Sequence, residues 1–294
     1  MAMGSVHGIF VSTLSAAAVI LTYVFLVSTM FSIGLAVTAG EILTALRNYG
    51  LMARVLLANI ILVPLLGLIL VAIFRLPTDI EAAILLLAST PGGIQTPQFT
   101  GKVKDNLALA AAVMFLLSIV AIVISPVMAE AILPVETQLT LPFLHIIGAV
   151  ALFMLVPLLA GFTFRKIAGS FAQRFYKPVL LVSNVSFVMT VVLTMELKKQ
   201  AVRTLDVKAV AVMAVLILAS MAIGWWLGGP EDGNRRVSAI ATSMRNAGVC
   251  LLIAATSFPD RAVDVAVVAF MAMMVPPNML FTVHHSIRRQ RPKA

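Results

Sequence analysis

Charged side chains are scarce in this 294-residue chain, where Asp, Glu, Lys and Arg together make up only 11% of the residues. A soluble domain uses about 25% charged residues to cover its surface. Hydrophobic residues make up 61%, and the mean hydropathy is +1.06. Apolar runs of about 20 residues, the length that crosses roughly 30 Å of hydrocarbon, recur along the chain. These features exclude a soluble core and predict an all-α integral membrane protein.

Residue types that carry catalysis and metal binding are also scarce. The single cysteine, Cys250, lies in an apolar stretch, so no intrachain disulfide can form. No Ser/His pair, paired aspartates or His-Glu-x-x-His arrangement is present. The net charge of +9 comes from Lys and Arg in short breaks between apolar runs. We therefore expect no enzyme, no metal, no cofactor and no nucleic-acid partner; the bilayer is the expected surrounding.

The apolar runs predict about nine transmembrane helices joined by short connections. Because no connection has room for a soluble domain, residues 1–294 are predicted to form a single transmembrane transporter domain. The first run has no basic segment before it, and we interpret it as a retained span rather than a cleaved signal. The predicted spans are residues 9–38, 48–74, 79–101, 105–133, 140–164, 178–197, 207–228, 236–257 and 263–287.

Lys and Arg concentrate in alternate connections, which predicts the orientation of the spans. With the N-terminus outside, the cytoplasmic side receives most basic residues, including Arg165, Lys166, Arg235 and Arg236. Nine spans also place the basic C-terminal residues 288–293 in the cytoplasm. We expect a multi-pass protein of the cell membrane, plasma or inner, with its C-terminus in the cytoplasm.

A weak internal repeat relates residues 105–115 to residues 264–271. Each stretch follows a span interrupted by polar residues and glycine. These are the third and eighth spans, so they cross the membrane in opposite directions. Secondary transporters are typically built from such inverted repeats, with broken helices holding the binding site near the midplane. The predicted repeats are residues 9–133 and 140–287.

Span three is interrupted at residues 89–98 by prolines, glycines and polar side chains. Unwound backbone at membrane depth is tolerated only where protein or a water-filled cavity meets it. The polar candidates for substrate contact are Gln95 and Thr96, where a second half-helix would offer N–H groups to an anion. The alternative is a kink that serves packing alone. The residues expected to break the helix are Pro91, Gly92, Gly93 and Pro97.

Span eight carries Arg245 between apolar flanks. An arginine near the middle of the bilayer costs at least about 2.5 kcal/mol, so it must face protein or water. The alternative is an arginine that reaches the membrane surface or pairs structurally. Asn59 and Asn278 are isolated amides in other spans. For these two, a helix–helix hydrogen bond is as good an explanation as a binding role.

Five short motifs occur in order along the chain: Met30-Phe31-Ser32-Ile33-Gly34-Leu35, Pro91-Gly92-Gly93, Asp105-Asn106-Leu107-Ala108-Leu109, Ser125-Pro126 and Met244-Arg245-Asn246-Ala247-Gly248. They resemble the motifs of the bile acid:sodium symporter family, a resemblance that extends over nearly the whole chain. It implies a core domain with two crossing broken helices, a separate panel domain, and transport of organic anions such as bile salts, steroid sulfates, pantoate and oxo-acids. It also places Asn246 and Asn278 near the substrate.

The sodium-binding positions implied by the resemblance are altered. At the first ion site, the family asparagine is Pro97, the hydroxyl positions on the next helix are Ala110 and Met114, and Thr96 keeps one hydroxyl. At the second site, the positions of the family Glu and two Gln residues are Ala241, Arg245 and Asn59. Sodium prefers several oxygen ligands, and a guanidinium repels cations.

We therefore expect a secondary transporter of small organic anions that works by alternating access, with Arg245 supplying the positive charge in place of sodium. Arg245 is expected to pair with a substrate carboxylate in bidentate fashion. No acid lies in the middle of a span, so a uniporter or an anion exchanger fits. The alternative class is a channel or a non-transporting receptor on the same scaffold.

Overall fold

The computed structural model describes residues 2–93, 95–101, 107–132, 148, 151–197, 199, 205–246, 249–251, 253–254, 258 and 263–290, and these are helical over most of their length. The α-helices are α1 (Ala2–Ala36), α2 (Ala39–Leu46), α3 (Tyr49–Leu57), α4 (Val63–Phe74), α5 (Thr78–Ser89), α6 (Thr96–Gly101), α7 (Leu107–Ile132), α8 (Val156–Ala168), α9 (Ser170–Leu197), α10 (Val207–Leu227), α11 (Asp232–Ser243) and α12 (Val263–Gln290).

Five helical stretches among the described residues are long and apolar enough to cross a membrane: Ala16–Ala36, Tyr49–Phe74, Ser170–Leu197, Val207–Leu227 and Val263–His285. Large apolar side chains such as Ile73, Leu181 and Leu280 point outward, as they do on a lipid-facing surface. The prediction of an all-α membrane protein is confirmed. The count of nine spans and the inverted repeats stay predictions.

Local sequence signals explain several helix ends. Thr38 caps α2: its hydroxyl accepts from the Glu41 N–H at 3.2 Å, and the Glu41 carboxylate accepts from the Thr38 N–H at 2.7 Å. These bonds favour the ionised carboxyl and lower the pKa of Glu41. The Asn48 side chain caps α3 by accepting from the Leu51 N–H.

Two helices contain π-helical turns followed by proline. Ala58–Leu62 separates α3 from α4, and Ala151–Leu155 precedes α8. Pro64 and Pro157 follow these turns, where each proline removes an N–H donor from the helix. The first π turn contains Asn59, and such turns frequently occur at functional sites.

Helices α1, α8 and α9 pack together as one group. The panel domain that the family resemblance implies stays a prediction. Gly34 of α1 meets Gly161 of α8 so closely that a methyl group at Gly34 would lie 2.8 Å from the Gly161 Cα. The hydroxyls of Thr29 and Ser183 form a hydrogen bond between α1 and α9. Small residues and hydroxyl pairs are the usual contacts between transmembrane helices.

The other long helices surround α5, whose residues from Ala82 to Ser89 are almost wholly buried. Helices α4, α7 and α12 pack against α5, and α10 packs against α11. A helix buried on every side belongs to the interior of a bundle. This second group therefore places the end of α5, residues 89 and 90, deep inside the protein.

The predicted boundaries agree with the described helices to within a few residues at most ends. The third predicted span is broken into α5 and α6. The eighth is broken into α11 and a helical stretch that includes residues 249–251. Asp105 and Asn106 of the internal repeat, Gly248, and residues 140–147 of the fifth predicted span lie outside the described residues.

We expect Gly34→Ala to lower the thermal stability of the purified protein. The new methyl group would lie 2.4 Å from the Leu158 carbonyl oxygen, and overpacking of this kind costs about 1–3 kcal/mol. Gly40→Ala is the matched control, since a methyl group there meets nothing within 4 Å and alanine favours the helix. Thermal unfolding in detergent measures both, and equal melting temperatures would contradict the expectation.

Candidate functional site

The first helix break follows α5. The helix ends at Ser89, residues 90–93 are not helical, and α6 begins at Thr96. Gly92 has a φ of 90°, a left-handed conformation that favours glycine, and Pro91 before it supplies no N–H donor. The Thr90 hydroxyl donates back to the Leu86 carbonyl at 3.0 Å. Pro91, Gly92 and Gly93 thus form the predicted break, and all three are buried.

The second break follows α11. The helix ends at Ser243, Met244 is extended with φ −86° and ψ 117°, and residues 249–251 are helical again. The Asn246 side chain caps the new start by accepting from the Val249 N–H at 3.2 Å. Arg245 and Asn246 therefore lie in unwound backbone, and both are buried.

The two breaks contact each other. The Asn246 N–H donates to the Thr90 carbonyl at 3.0 Å, and the Cys250 sulfur lies 2.7 Å from the Thr90 hydroxyl oxygen. A methyl group at Gly93 would lie 2.3 Å from the Met244 Cβ, so only glycine permits this approach. Residues about 150 positions apart thus form one crossing, in which each unwound backbone satisfies polar groups of the other.

The Arg245 guanidinium lies at the carbonyl end of α5. It is 1% exposed. Its Nε donates to the Leu87 carbonyl at 2.9 Å and its Nη2 to the Ala88 carbonyl at 2.6 Å. Its Nη1 donates to the Asn59 side-chain oxygen at 2.8 Å and to the Thr242 carbonyl at 3.3 Å. Four of its five N–H groups therefore bind neutral oxygens of four different residues.

These partners explain how a cation is accommodated inside a membrane protein. The last carbonyls of a helix have no intrahelical donor, and the helix dipole places partial negative charge there. Arg245 satisfies two of those carbonyls, Leu87 and Ala88. No carboxylate among the described residues pairs with it. The guanidinium therefore keeps a net positive charge at the crossing, and it neither reaches the membrane surface nor meets an acid.

Asn59 holds the guanidinium from the opposite side. Its amide nitrogen donates to the Val55 carbonyl at 3.0 Å and to the Thr242 hydroxyl at 3.1 Å. The remaining amide oxygen is thereby directed at Arg245. Ala241, next to Thr242, is buried and contributes only a methyl group. The positions expected from the resemblance at the second sodium site thus contain a bound side-chain cation, and they do not fit a metal ion.

Three of the four positions of the first sodium site have side chains without a ligand atom. Pro97 is buried in α6, and Ala110 and Met114 are buried on α7. None of these three side chains has an oxygen atom. The Thr96 hydroxyl donates to the Gly93 carbonyl at 2.7 Å and so stabilises the break. The side-chain oxygens present here do not fit sodium, which prefers several.

Asn278 and Gln95 are the other predicted polar contacts. The Asn278 oxygen accepts from the Ser243 hydroxyl at 2.8 Å, and its amide nitrogen donates to the Met274 carbonyl at 2.8 Å. Asn278 therefore joins α12 to the end of α11. Gln95 is 4% exposed, and its side-chain oxygen has no hydrogen-bond partner in the part of the chain that the structure describes. Among the predicted polar contacts, Gln95 is thus the one whose buried side-chain oxygen has no described partner.

Sequence reasoning did not single out three groups that bind Arg245 or support the crossing. Thr242, Ser243 and Thr90 are hydroxyl residues that flank the two breaks. Their position beside a broken span was a usable signal. The Leu87 and Ala88 carbonyls had no signal in the side-chain sequence, because backbone groups become ligands only where a helix ends.

An apolar cleft separates the two helix groups. Met30 of α1 and Leu158 of α8 face Met114 and Ser118 of α7 across a narrow cleft with room for about one water molecule. The buried Ser118 hydroxyl has no hydrogen-bond partner among the described residues.

The fold and the site define a class: a multi-pass membrane protein with two broken helices that cross inside it, the architecture of secondary transporters. The sequence matches the sodium bile acid symporter family over residues 23–205. The chain therefore belongs to that family and is a membrane transporter. The matched range contains the first break and Asn59, whereas Arg245 and the second break lie beyond it. The comparison with curated proteins finds no match.

We expect Arg245→Met to destabilise the protein by about 2–4 kcal/mol. The change leaves three acceptors, at Ala88, Asn59 and Thr242, without a described donor, whereas the Leu87 carbonyl keeps the Thr90 N–H. Each buried orphan costs about 1–3 kcal/mol. Removing a charge from the membrane interior offsets part of that cost. The stability of Arg245→Lys should lie between those of the wild type and Arg245→Met, since an ammonium keeps the charge but has no planar fork of N–H donors.

Thermal or denaturant unfolding in detergent measures the effect. The control is Arg174→Met, because Arg174 is exposed on α9 and surface substitutions usually change stability by less than about 0.5 kcal/mol. If Arg245→Met unfolds at the wild-type temperature, the guanidinium does not hold the crossing together.

Proposed function

We propose that this protein is a secondary transporter of small organic anions that works by alternating access and requires no sodium at the second ion site. The observation that carries the proposal is the Arg245 guanidinium, which is buried at the crossing and bonded only to neutral oxygens among the described residues. A side chain supplies there the charge that a bound cation would otherwise bring.

The sign of this charge supports an anionic substrate. At an effective dielectric constant of about 20, two unit charges 4 Å apart interact by about 4 kcal/mol. A sodium ion beside Arg245 would meet that repulsion, and a carboxylate or sulfate would gain a comparable attraction. No described acid pairs with Arg245 to cancel the charge. An anion entering the crossing is therefore the ligand that electrostatics favour.

In this proposal, Arg245 acts first through its charge. Its direct bidentate pairing with a substrate carboxylate stays a prediction, since four of its N–H groups are engaged with protein oxygens. The hydrogen bonds to substrate come from Gln95, Thr96, Asn246 and Asn278. Gln95 is the first candidate because its buried side-chain oxygen has no described partner.

The cleft between the two helix groups supports the proposed movement. Met30 and Leu158 belong to the group of α1, α8 and α9, and Met114 and Ser118 belong to the bundle around the breaks. We propose that one group rocks against the other, so that the crossing opens to each side in turn. The topology in this proposal has nine spans, with the N-terminus outside.

Uptake into proteoliposomes tests sodium dependence. The labelled probes are a bile salt, a steroid sulfate, pantoate and a short 2-oxo acid, each with an inward gradient of sodium chloride or of potassium chloride. We expect saturable uptake of at least one probe, with rates that agree within about twofold in the two salts. Preloading with unlabelled anion should accelerate uptake, as expected of a carrier.

Three outcomes would contradict the proposal. Uptake that requires the sodium gradient would show that Arg245 does not replace the ion. Ohmic currents without counterflow would indicate a channel. Binding of a probe without uptake would indicate a receptor on the same scaffold.

Ala241→Glu combined with Arg245→Gln tests whether sodium binds once Arg245 is replaced and a carboxylate is present. The double variant restores a carboxylate and an amide at positions where the family resemblance expects sodium ligands. We expect sodium chloride to raise its melting temperature relative to potassium chloride, because a ligand at 100 times its Kd stabilises a protein by about 2.7 kcal/mol. The wild type should show no difference between the salts.

Arg245→Gln alone is the matched control, since it removes the guanidinium without supplying the carboxylate. Sodium-specific stabilisation of the wild type, with none in the double variant, would place the ion elsewhere.

A further inference from the structure

Two guanidinium groups meet at one glycine in the connection between α10 and α11. The Arg235 Nε donates to the Gly229 carbonyl at 2.5 Å. On the same residue, a methyl group built at Gly229 would lie 2.8 Å from the Arg54 Nη2. Gly229 has a φ of 84°, so its conformation also favours glycine. The loop therefore brings together two permanent cations from distant parts of the chain.

Neither cation pairs with an acidic side chain in the described part of the chain. No described carboxylate lies within ion-pair distance of Arg54 or Arg235, and the nearby Glu231 carboxylate accepts instead from the Asn234 amide. The Arg54 Nε is buried and has no hydrogen-bond partner in the described chain. Two like charges held together with an unsatisfied donor form a site that is incomplete without an anion.

Aromatic residues indicate the depth of this site in the membrane. The Arg235 guanidinium lies 5.7 Å from the centre of the Trp225 ring. The His285 ring stacks on the same tryptophan, with 5.2 Å between the ring centres. The adjacent Trp226 is 82% exposed at the last turn of α10. Tryptophans are enriched where lipid headgroups meet hydrocarbon. Arg54 and Arg235 thus lie at headgroup depth.

We propose that Arg54 and Arg235 bind the phosphate group of an anionic phospholipid between the last turn of α3 and the α10–α11 loop. Arginine forks match phosphate oxygens in bidentate fashion, and basic pockets between transmembrane helices are a known form of headgroup site. Both arginines are partly exposed, so a headgroup can reach them. The site is separate from the crossing and does not depend on the proposed transport activity.

Tryptophan fluorescence reports directly on this site, because Trp225 and Trp226 are the two tryptophans of the chain. The protein is reconstituted into phosphatidylcholine vesicles that contain a fixed fraction of either brominated phosphatidylglycerol or brominated phosphatidylcholine. We expect the anionic lipid to quench the fluorescence with an apparent affinity at least about fivefold higher. Sodium chloride should weaken that preference, since it screens exposed charges.

Arg54→Gln combined with Arg235→Gln should bring the ratio of the apparent affinities for the anionic lipid and for phosphatidylcholine close to one. Arg174→Gln is the matched control, because it removes an exposed arginine on α9 and should leave the preference unchanged. Arg54→Lys keeps the positive charge but removes the bidentate guanidinium. We expect this variant to lose part of the preference for the anionic lipid. It also provides a measurement if the double variant does not fold.

Three results would overturn the proposal. The first is equal quenching by the two lipids in the wild type. The second is a preference for the anionic lipid that the arginine variants leave unchanged. The third is displacement of the brominated anionic lipid by inorganic phosphate at constant ionic strength, which would assign the site to free phosphate.

Discussion

The interior of this protein depends on the contact between one guanidinium and the carbonyl end of one helix. Helix α5 ends inside the bundle, where water does not satisfy its last carbonyls. Arg245 donates to two of them, Leu87 and Ala88. The helix end lowers the cost of burying the cation, and the cation lowers the cost of ending the helix. Either feature alone would be expensive in a membrane.

The rest of the crossing follows from holding that guanidinium in place. Arg245 must leave the helical path to reach α5, so α11 ends at Ser243. The two unwound segments then approach closely, which requires glycine at Gly93. Asn59 closes the site from a π-helical turn, with its amide nitrogen committed to Val55 and Thr242. One buried charge thus constrains four segments, and it connects the family fold to the proposed function without sodium.

Much of the architecture was predictable from composition and pattern. The long apolar runs predicted membrane-spanning helices, and the Pro-Gly run at residues 91–93 predicted the break after α5. The isolation of Arg245 among apolar residues predicted that it lies inside the protein. The replaced positions Asn59 and Arg245 were predicted to share a site, and in the structure they are in contact. In each case the signal is a residue that is costly at membrane depth, so few positions are open to it.

The sequence by itself determined the membrane setting, the helix breaks and the presence of an internal cation, because hydropathy, proline, glycine and charge act locally. Only the tertiary structure decided what that cation binds. Its main partners are backbone carbonyls more than 150 positions away and an amide 186 positions away. A carbonyl carries no residue identity, and it becomes a ligand only when its helix ends beside another segment. The pairing of Arg54 with Arg235 around Gly229 has the same origin, since packing of α3 against a distant loop creates it.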